Sequence, residues 1–387
     1  MKDKTKLIEM GRPHGRPHHP VNPPVERAST ILFPTYNDFV EGAKSITYGR
    51  LGTSTHRALE EAVTALEGGY ETRLASSGLQ ACVASILAFV ETGDHVLIAD
   101  SVYDPTRKFC TMFLARFGVE AQFYDPTISG DELSALMTKR TKVVFMETPG
   151  SLTFEVQDIP AFAAVTQEHG ATLVVDNTWG AGYFLKPVAL GADVSVQAAT
   201  KYLSGHSDCL VGTITSADEK TARKIYLAIL QLGANVSADD AYLTLRGLRT
   251  LSARLRVHEE QALALAKWFD KRREVARVLH PALKSCPGHA IWKRDFTGAS
   301  GLFGVVLQPT PEQALRAFFD AFKLIGMGFS WGGYESLCIP ADPAKNRSAT
   351  AWDEPGPTIR FHAGLEDIED LKVDLNRAFH AMNAAMD

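Results

Sequence analysis

Residues 195–208 read S-V-Q-A-A-T-K-Y-L-S-G-H-S-D, a β-like apolar run that delivers one lysine, Lys201, beside the hydroxyl of Thr200 into a loop of small and polar residues. Lysine is strongly hydrated and costly to bury, so a lysine fed from such a run has two explanations. Either its stem snorkels and the amine sits in solvent, or the amine is desolvated, its pKa falls, and it forms a Schiff base with a carbonyl. The stretch alone leaves both open.

Its meaning for the fold comes from three sibling runs. HVLIA (95–99) ends at Asp100, KVVFM (142–146) ends at Glu147, ATLVV (171–175) ends at Asp176, and DVSVQAA (193–199) leads to Lys201. Helical stretches are expected between them at 104–117, 131–138 and 158–168. Apolar strands alternating with helices predict a largely parallel sheet covered on both faces. Tyr103, Asp176 and Lys201 then lie just past the C-terminal ends of strands, where open α/β sheets place their ligands.

The rest of the chain adds candidate groups. Tyr48 and Arg50 flank Gly49, a phenol and a guanidinium suited to an anionic oxygen such as phosphate. Ser76, Ser77 and Gly78 precede an apolar helix whose free N–H groups and positive dipole end favour an anion, although ordinary capping explains the serines equally well. From about Thr221 the chain is helix-rich, its arginines lying at helical spacing from leucines as a solvated or interface face would require. A smaller C-terminal unit is expected beyond about 250, with strands at 302–307 and 358–362 and helices at 312–324 and 366–383. Ser330 and Trp331 open its glycine-broken loop. Arg360 lies inside an apolar strand, which calls for a carboxylate, either a substrate's or the protein's own.

Composition narrows the classes. A chain of 387 residues with 45% hydrophobic and 22% charged residues can build more than one core. The net charge of −5 (40 basic against 45 acidic residues) gives no electrostatic footing for nucleic acid or an anionic membrane. No apolar run reaches the roughly 18–20 residues of a membrane span, and the N-terminus lacks a secretory core, so a cytoplasmic location is expected. Five cysteines, odd in number and scattered without a C-x-x-C pair, read as buried thiols rather than a disulfide framework or zinc site. The proline-rich segment 11–24 reads as an extended packing arm, and His14, His18 and His19 within it lack the company of a metal site.

A lysine for a Schiff base, an anion site at a helix start, an acid at a strand end, an aromatic and an arginine for a carboxylate form the set that pyridoxal phosphate and an amino acid substrate need. At this point the sequence resembles a known family, the Cys/Met-metabolism group of fold-type I pyridoxal phosphate enzymes. The resemblance covers essentially the whole chain. It is carried by YGRLGTSTH (48–56), SSGLQA (76–81), DNTW (176–179), ATKYLSGHSD (199–208), SWGGYES (330–336) and IRFHAGLE (359–366). Tyr-Gly-Arg followed by Gly-Thr-x-Thr-His, Trp331 after Ser330, and Ser151 favour the β-lyase branch over the γ-lyase and γ-synthase branches.

The resemblance implies a mostly parallel seven-stranded α/β sheet flanked by helices, with a smaller α+β C-terminal domain. It implies an N-terminal arm (1–52) reaching a neighbouring subunit, a cofactor domain (53–248) and a C-terminal domain (249–387). Lys201 would anchor the cofactor and act as base, with Tyr103 stacked on the ring and able to move a second proton. Asp176 would pair with the pyridine nitrogen. Ser77, Gly78, Leu79 and Thr200 would hold the phosphate, joined by Tyr48 and Arg50 of a second subunit in a homo-oligomer, usually a tetramer built as a dimer of dimers. Ser330, Trp331, Arg360 and Tyr48 would meet the substrate, a small amino acid thioether. Ala198 departs from many relatives, which carry a phosphate-binding serine there. The implied activity is β-elimination from L-cystathionine, giving homocysteine, pyruvate and ammonia in methionine biosynthesis. Another carbon–sulfur lyase of the family, such as a cysteine desulfhydrase or γ-lyase, stays open here, as does a regulatory protein of the same fold.

Overall fold

The computed structural model describes residues 1–13, 18–41 and 46–386. His14 and part of the expected N-terminal arm lie outside the described residues. Seven strands form the large sheet: β1 (Glu71–Ala75), β2 (His95–Ala99), β3 (Glu120–Tyr124), β4 (Thr141–Glu147), β5 (Thr172–Asp176), β6 (Val194–Ala198) and β7 (Gly212–Ser216). Their order is β1-β7-β6-β5-β4-β2-β3. β7 pairs antiparallel with both neighbours and all other pairs are parallel, so β7 alone is reversed.

Strand alternation supplies both faces of this sheet. Leu97, Ala99, Val144, Met146, Leu173 and Val175 pack into one buried cluster, while Val96, Ile98, Val143, Phe145, Val174 and Val196 pack into another on the opposite face. A strand buried on both faces reads as a continuous apolar run, which is why β2, β4, β5 and β6 are legible in sequence. The remaining three are not. β1 carries Glu71 and Arg73, β3 is the half-exposed edge, and β7 is the mixed run GTITS.

A second, antiparallel sheet has the order β10-β11-β9-β8, from β8 (Val275–Leu279), β9 (Leu302–Leu307), β10 (Leu337–Ala341) and β11 (Thr358–His362). β10 contains Pro340, which lacks an N–H and suits an edge position. Phe303, Phe361, Phe269, Phe318 and Phe379 fill the core between this sheet and its helices. The helix Leu251–Phe269 enters both cores, with Leu251 and Leu255 in the first and Leu265 and Phe269 in the second. One arginine of this region departs from the expected solvated face. Arg254 is buried and donates to the carbonyls of Tyr202, Leu203 and Gly247, tying down the segment after Lys201.

The expected helix at 312–324 stops at Asp320, and the one at 104–117 changes its hydrogen bonding twice, from α to a wider π turn and then to a 3-10 turn. Local starts follow capping chemistry. Ser77 accepts from the Gln80 amide at the head of Gly78–Leu87, and Asp158 accepts from Ala161 ahead of Ile159–His169. All five cysteines are buried and free.

Candidate active site

One cleft of about 220 Å³ opens at the C-terminal edge of the large sheet and is roofed by the loop between β9 and β10. Glu147 ends β4 and Asp176 ends β5, and the two are paired in register, so two carboxylates lie side by side on the cleft floor. Lys201 stands three residues past β6, on the connection that returns as β7. Ser77, Gly78, Leu79, Tyr103, Thr200, Trp331 and Arg360 also line the cleft. Sequence reasoning therefore brings nine lining residues together, with Ser330 beside them. Tyr48 and Arg50 are not among them. Tyr48 is about half exposed, at 48%, and Arg50 donates to the Leu230 carbonyl at 3.0 Å.

The lysine is neither free in solvent nor paired with an acid among the described residues. Its Nζ donates to Ser330 Oγ at 2.9 Å, and the Trp331 ring centroid lies 5.2 Å away. Burial, and next the Arg360 guanidinium, push its pKa down to about 8, against a smaller opposing pull from Asp176. A lowered pKa places an appreciable neutral fraction, the nucleophilic and basic form, near neutrality.

Asp176 is buried, and burial holds its carboxyl above the ordinary range. Its Oδ1 accepts from the Thr178 amide at 3.0 Å and the Thr178 hydroxyl at 2.5 Å, and the Thr178 hydroxyl also accepts from Ala198 N at 2.9 Å. Its Oδ2 faces the Cys82 thiol at 3.6 Å. Glu147 is held well above the ordinary range by burial and then by Asp176, while accepting from the Tyr103 amide at 2.6 Å. Two adjacent buried acids do not both ionise cheaply, and the Asp176 carboxylate has more hydrogen-bond donors on it than that of Glu147.

Gly78 shows why the helix start meets the sheet so closely. A Cβ there would lie 2.4 Å from the Ala198 Cβ and 2.9 Å from its Cα. The amides at the start of this helix therefore sit directly over the end of β6, where they are available to an anion. The Thr200 hydroxyl is near them and bonds with Val211, accepting from its amide at 3.1 Å.

Arg360 lies in β11 with its pKa pushed down by burial to about 10. Its Nη2 donates to the carbonyls of Phe329 at 2.7 Å and Ser330 at 3.0 Å. Among the described residues no carboxylate lies at ion-pair distance from it. A half-buried guanidinium held only by carbonyls has capacity for a ligand carboxylate. Sequence reasoning did not single out Glu147, Cys82 or Thr178. The signal for Glu147 was present, because it ends a strand as Asp176 does. Nothing local marked Cys82, whose role arises from the packing of a helix against β5.

Comparison with known proteins adds independent findings. The sequence model of the family described as Cys/Met metabolism PLP-dependent enzyme matches residues 4–380. A putative cystathionine beta-lyase of Rhizobium johnstonii is 47% identical over 98% of this chain and 96% of its own. Cystathionine beta-lyase of Salmonella typhimurium is 44% identical over 97% of each chain. The crystal structure of metB from Corynebacterium glutamicum superposes with a TM-score of 0.91 at 32% identity, covering 98% of both chains.

Proposed function

Because the chain belongs to the Cys/Met metabolism family of PLP-dependent enzymes, we propose that it cleaves the Cβ–S bond of L-cystathionine, releasing homocysteine, pyruvate and ammonia. The observation that carries this reading is Lys201 held by Ser330 under Trp331, above a floor made by Asp176.

The residues fit pyridoxal phosphate. Asp176 offers a buried carboxylate whose Oδ2 is faced, among the described residues, by the Cys82 thiol, a setting that favours a protonated ring nitrogen as donor. Ser77, Gly78 and Leu79 supply the anion-binding helix start, with Thr200 beside them. When bound, the cofactor supplies an aldehyde for an amine and a protonated ring that takes up electron density from Cα. Asp176 keeps that ring nitrogen protonated. Arg360 grips the substrate carboxylate with two N–H donors and so orients Cα toward Lys201.

The neutral amine of Lys201 takes the Cα proton, and Ser330 holds Nζ in place for this transfer. The resulting ammonium is the proton source for the departing sulfur. Tyr103, whose phenol is raised by burial and then by Glu147, remains protonated and serves as a donor at the cleft mouth. Tyr48 and Arg50 lie outside this chain's cleft, which supports their serving the phosphate of a neighbouring subunit in a homo-oligomer. Among the described residues no helix is long and apolar enough to cross a membrane.

The test is product identification with L-cystathionine. Pyruvate plus homocysteine is expected and is lost in Lys201→Ala. Formation of 2-oxobutyrate plus cysteine would replace this reading with γ-elimination.

A further inference from the structure

Arg360 and His362 are two residues apart in β11 and therefore point to the same face. Both hold the loop that carries Ser330 and Trp331. Arg360 holds its beginning through the carbonyls of Phe329 and Ser330. His362 holds its far side, where Nε2 accepts the Gly332 N–H at 3.1 Å and Nδ1 donates to the Glu335 carbonyl at 3.0 Å. His362 is 1% exposed, and both of its nitrogens are used, one as acceptor and one as donor, which only the neutral ring allows. Its neighbour His258, with ring centroids 5.2 Å apart, spends Nδ1 on the Ala363 carbonyl and does not reach the loop.

The loop in turn rests on the reactive lysine. Gly332 has φ +87°, and a Cβ there would lie 3.0 Å from the Lys201 Cα and 2.9 Å from the Tyr202 amide. Moving Gly332 moves Ser330 and Trp331 away from the Lys201 amine. Among the described residues Arg360 spends only Nη2 on the loop carbonyls, which leaves Nη1 and Nε for the substrate carboxylate. Any shift of the guanidinium toward that carboxylate pulls on the first anchor of the loop, whereas the His362 bond to Gly332 does not depend on it.

We propose that His362 is a positioning residue for the elimination: it keeps the Ser330–Trp331 loop on Lys201 while Arg360 is occupied by the substrate carboxylate. The proposal rests on the reading of Arg360 given above. It assigns a task to a side chain that touches neither cofactor nor substrate, and it places the two bonds of His362 in unequal roles. The Gly332 N–H bond is the one that matters, since it sits between Trp331 and the close approach to Lys201.

Two substitutions separate those bonds. His362→Gln reaches the Gly332 amide with its carbonyl oxygen, whereas His362→Asn is long enough only for Glu335. On the cofactor-loaded enzyme, hydrogen exchange of the Gly332 amide is expected to speed up about tenfold in His362→Asn and to stay within about threefold in His362→Gln, the scale of one buried hydrogen bond. Saturating glycine, which has the carboxylate and no leaving group, should widen the His362→Asn gap. With L-cystathionine, kcat per bound cofactor should fall on the order of tenfold in His362→Asn with KM nearly unchanged, and His362→Gln should restore it. Equal exchange in His362→Asn and the unaltered enzyme, or a His362→Gln as impaired as His362→Asn, would overturn the proposal. A failure of the functional reading looks different: the unaltered enzyme itself would give no pyruvate, while the exchange contrast between the two variants without glycine would still decide the role of His362.

Discussion

Removing the Trp331 ring should make Lys201 a poorer nucleophile at neutral pH, and the size of the effect follows from its surroundings. At a pKa of about 8, about one Lys201 amine in eleven is neutral at pH 7, against about one in three thousand for an ordinary lysine. The site therefore raises the reactive form by about 300-fold. Burial is the largest cause, and Trp331, 5.2 Å from Nζ, is part of the cover. Trp331→Ala admits water and moves the pKa up. Loss of the cation–π contact acts the other way, but at about 0.5–1 kcal/mol it is worth less than one pKa unit. A net rise of about one unit is expected, which slows reaction at pH 7 about tenfold and leaves the rate at high pH unchanged. The assay strips the cofactor and adds pyridoxal phosphate with a hydride trap at roughly pH 6 to 10, a range that brackets the expected titration. The modified Lys201 peptide is then quantified by mass spectrometry. A midpoint near 8 is expected for the unaltered protein. A midpoint near that of free lysine, or one that falls in Trp331→Ala, would refute the reasoning.

Three further outcomes are expected. Arg360→Lys keeps the charge but loses the planar fork, so KM for L-cystathionine should rise about tenfold to a hundredfold, with kcat less affected, in steady-state assays. Glu147→Gln tests the buried acid. Its folded pKa is raised, so its contribution is intact below the unfolded carboxyl pKa and is lost as pH rises toward the folded one, at about 1.4 kcal/mol per pH unit. The amide variant should therefore match the parent in thermal melts at acid pH and exceed it increasingly toward neutral pH. Gly78→Ala places a methyl 2.4 Å from Ala198, and the resulting backbone shift, about 1–3 kcal/mol, should weaken cofactor binding by about ten- to a hundredfold in an absorbance titration.

The site was more legible than the fold around it because its residues sit at strand ends. Lys201, Asp176 and Tyr103 follow apolar runs, and an apolar run followed by a polar group is visible one residue at a time. Arg360 was visible for a related reason, as a charge inside a strand. His362 was not, although it lies two residues further on, because a neutral buried histidine shows its purpose only when the loop amide opposite is in place. The same holds for Cys82, an ordinary helix residue in sequence, and for Arg254, which looked like one more exposed arginine until the helix direction pointed it into the chain after Lys201. Among strands, β7 escaped notice because its partners β1 and β6 complete its burial from distant parts of the chain.

That reversed strand has a consequence for how the molecule handles its cofactor. β6 and β7 pair from Val194 with Ser216 to Ala198 with Gly212, and both are interior strands, so the segment bearing Lys201 is a loop whose two ends are fixed at the middle of the sheet. Such a loop cannot swing away as a flap on an edge can. Its backbone is held further by the Lys201 amide on the Ala198 carbonyl and the Thr200 amide on the Val211 carbonyl, so its amides should exchange more slowly than those of an edge flap. The frame around the lysine is thus set by the large sheet, and the mouth of the cleft by the small sheet's loop.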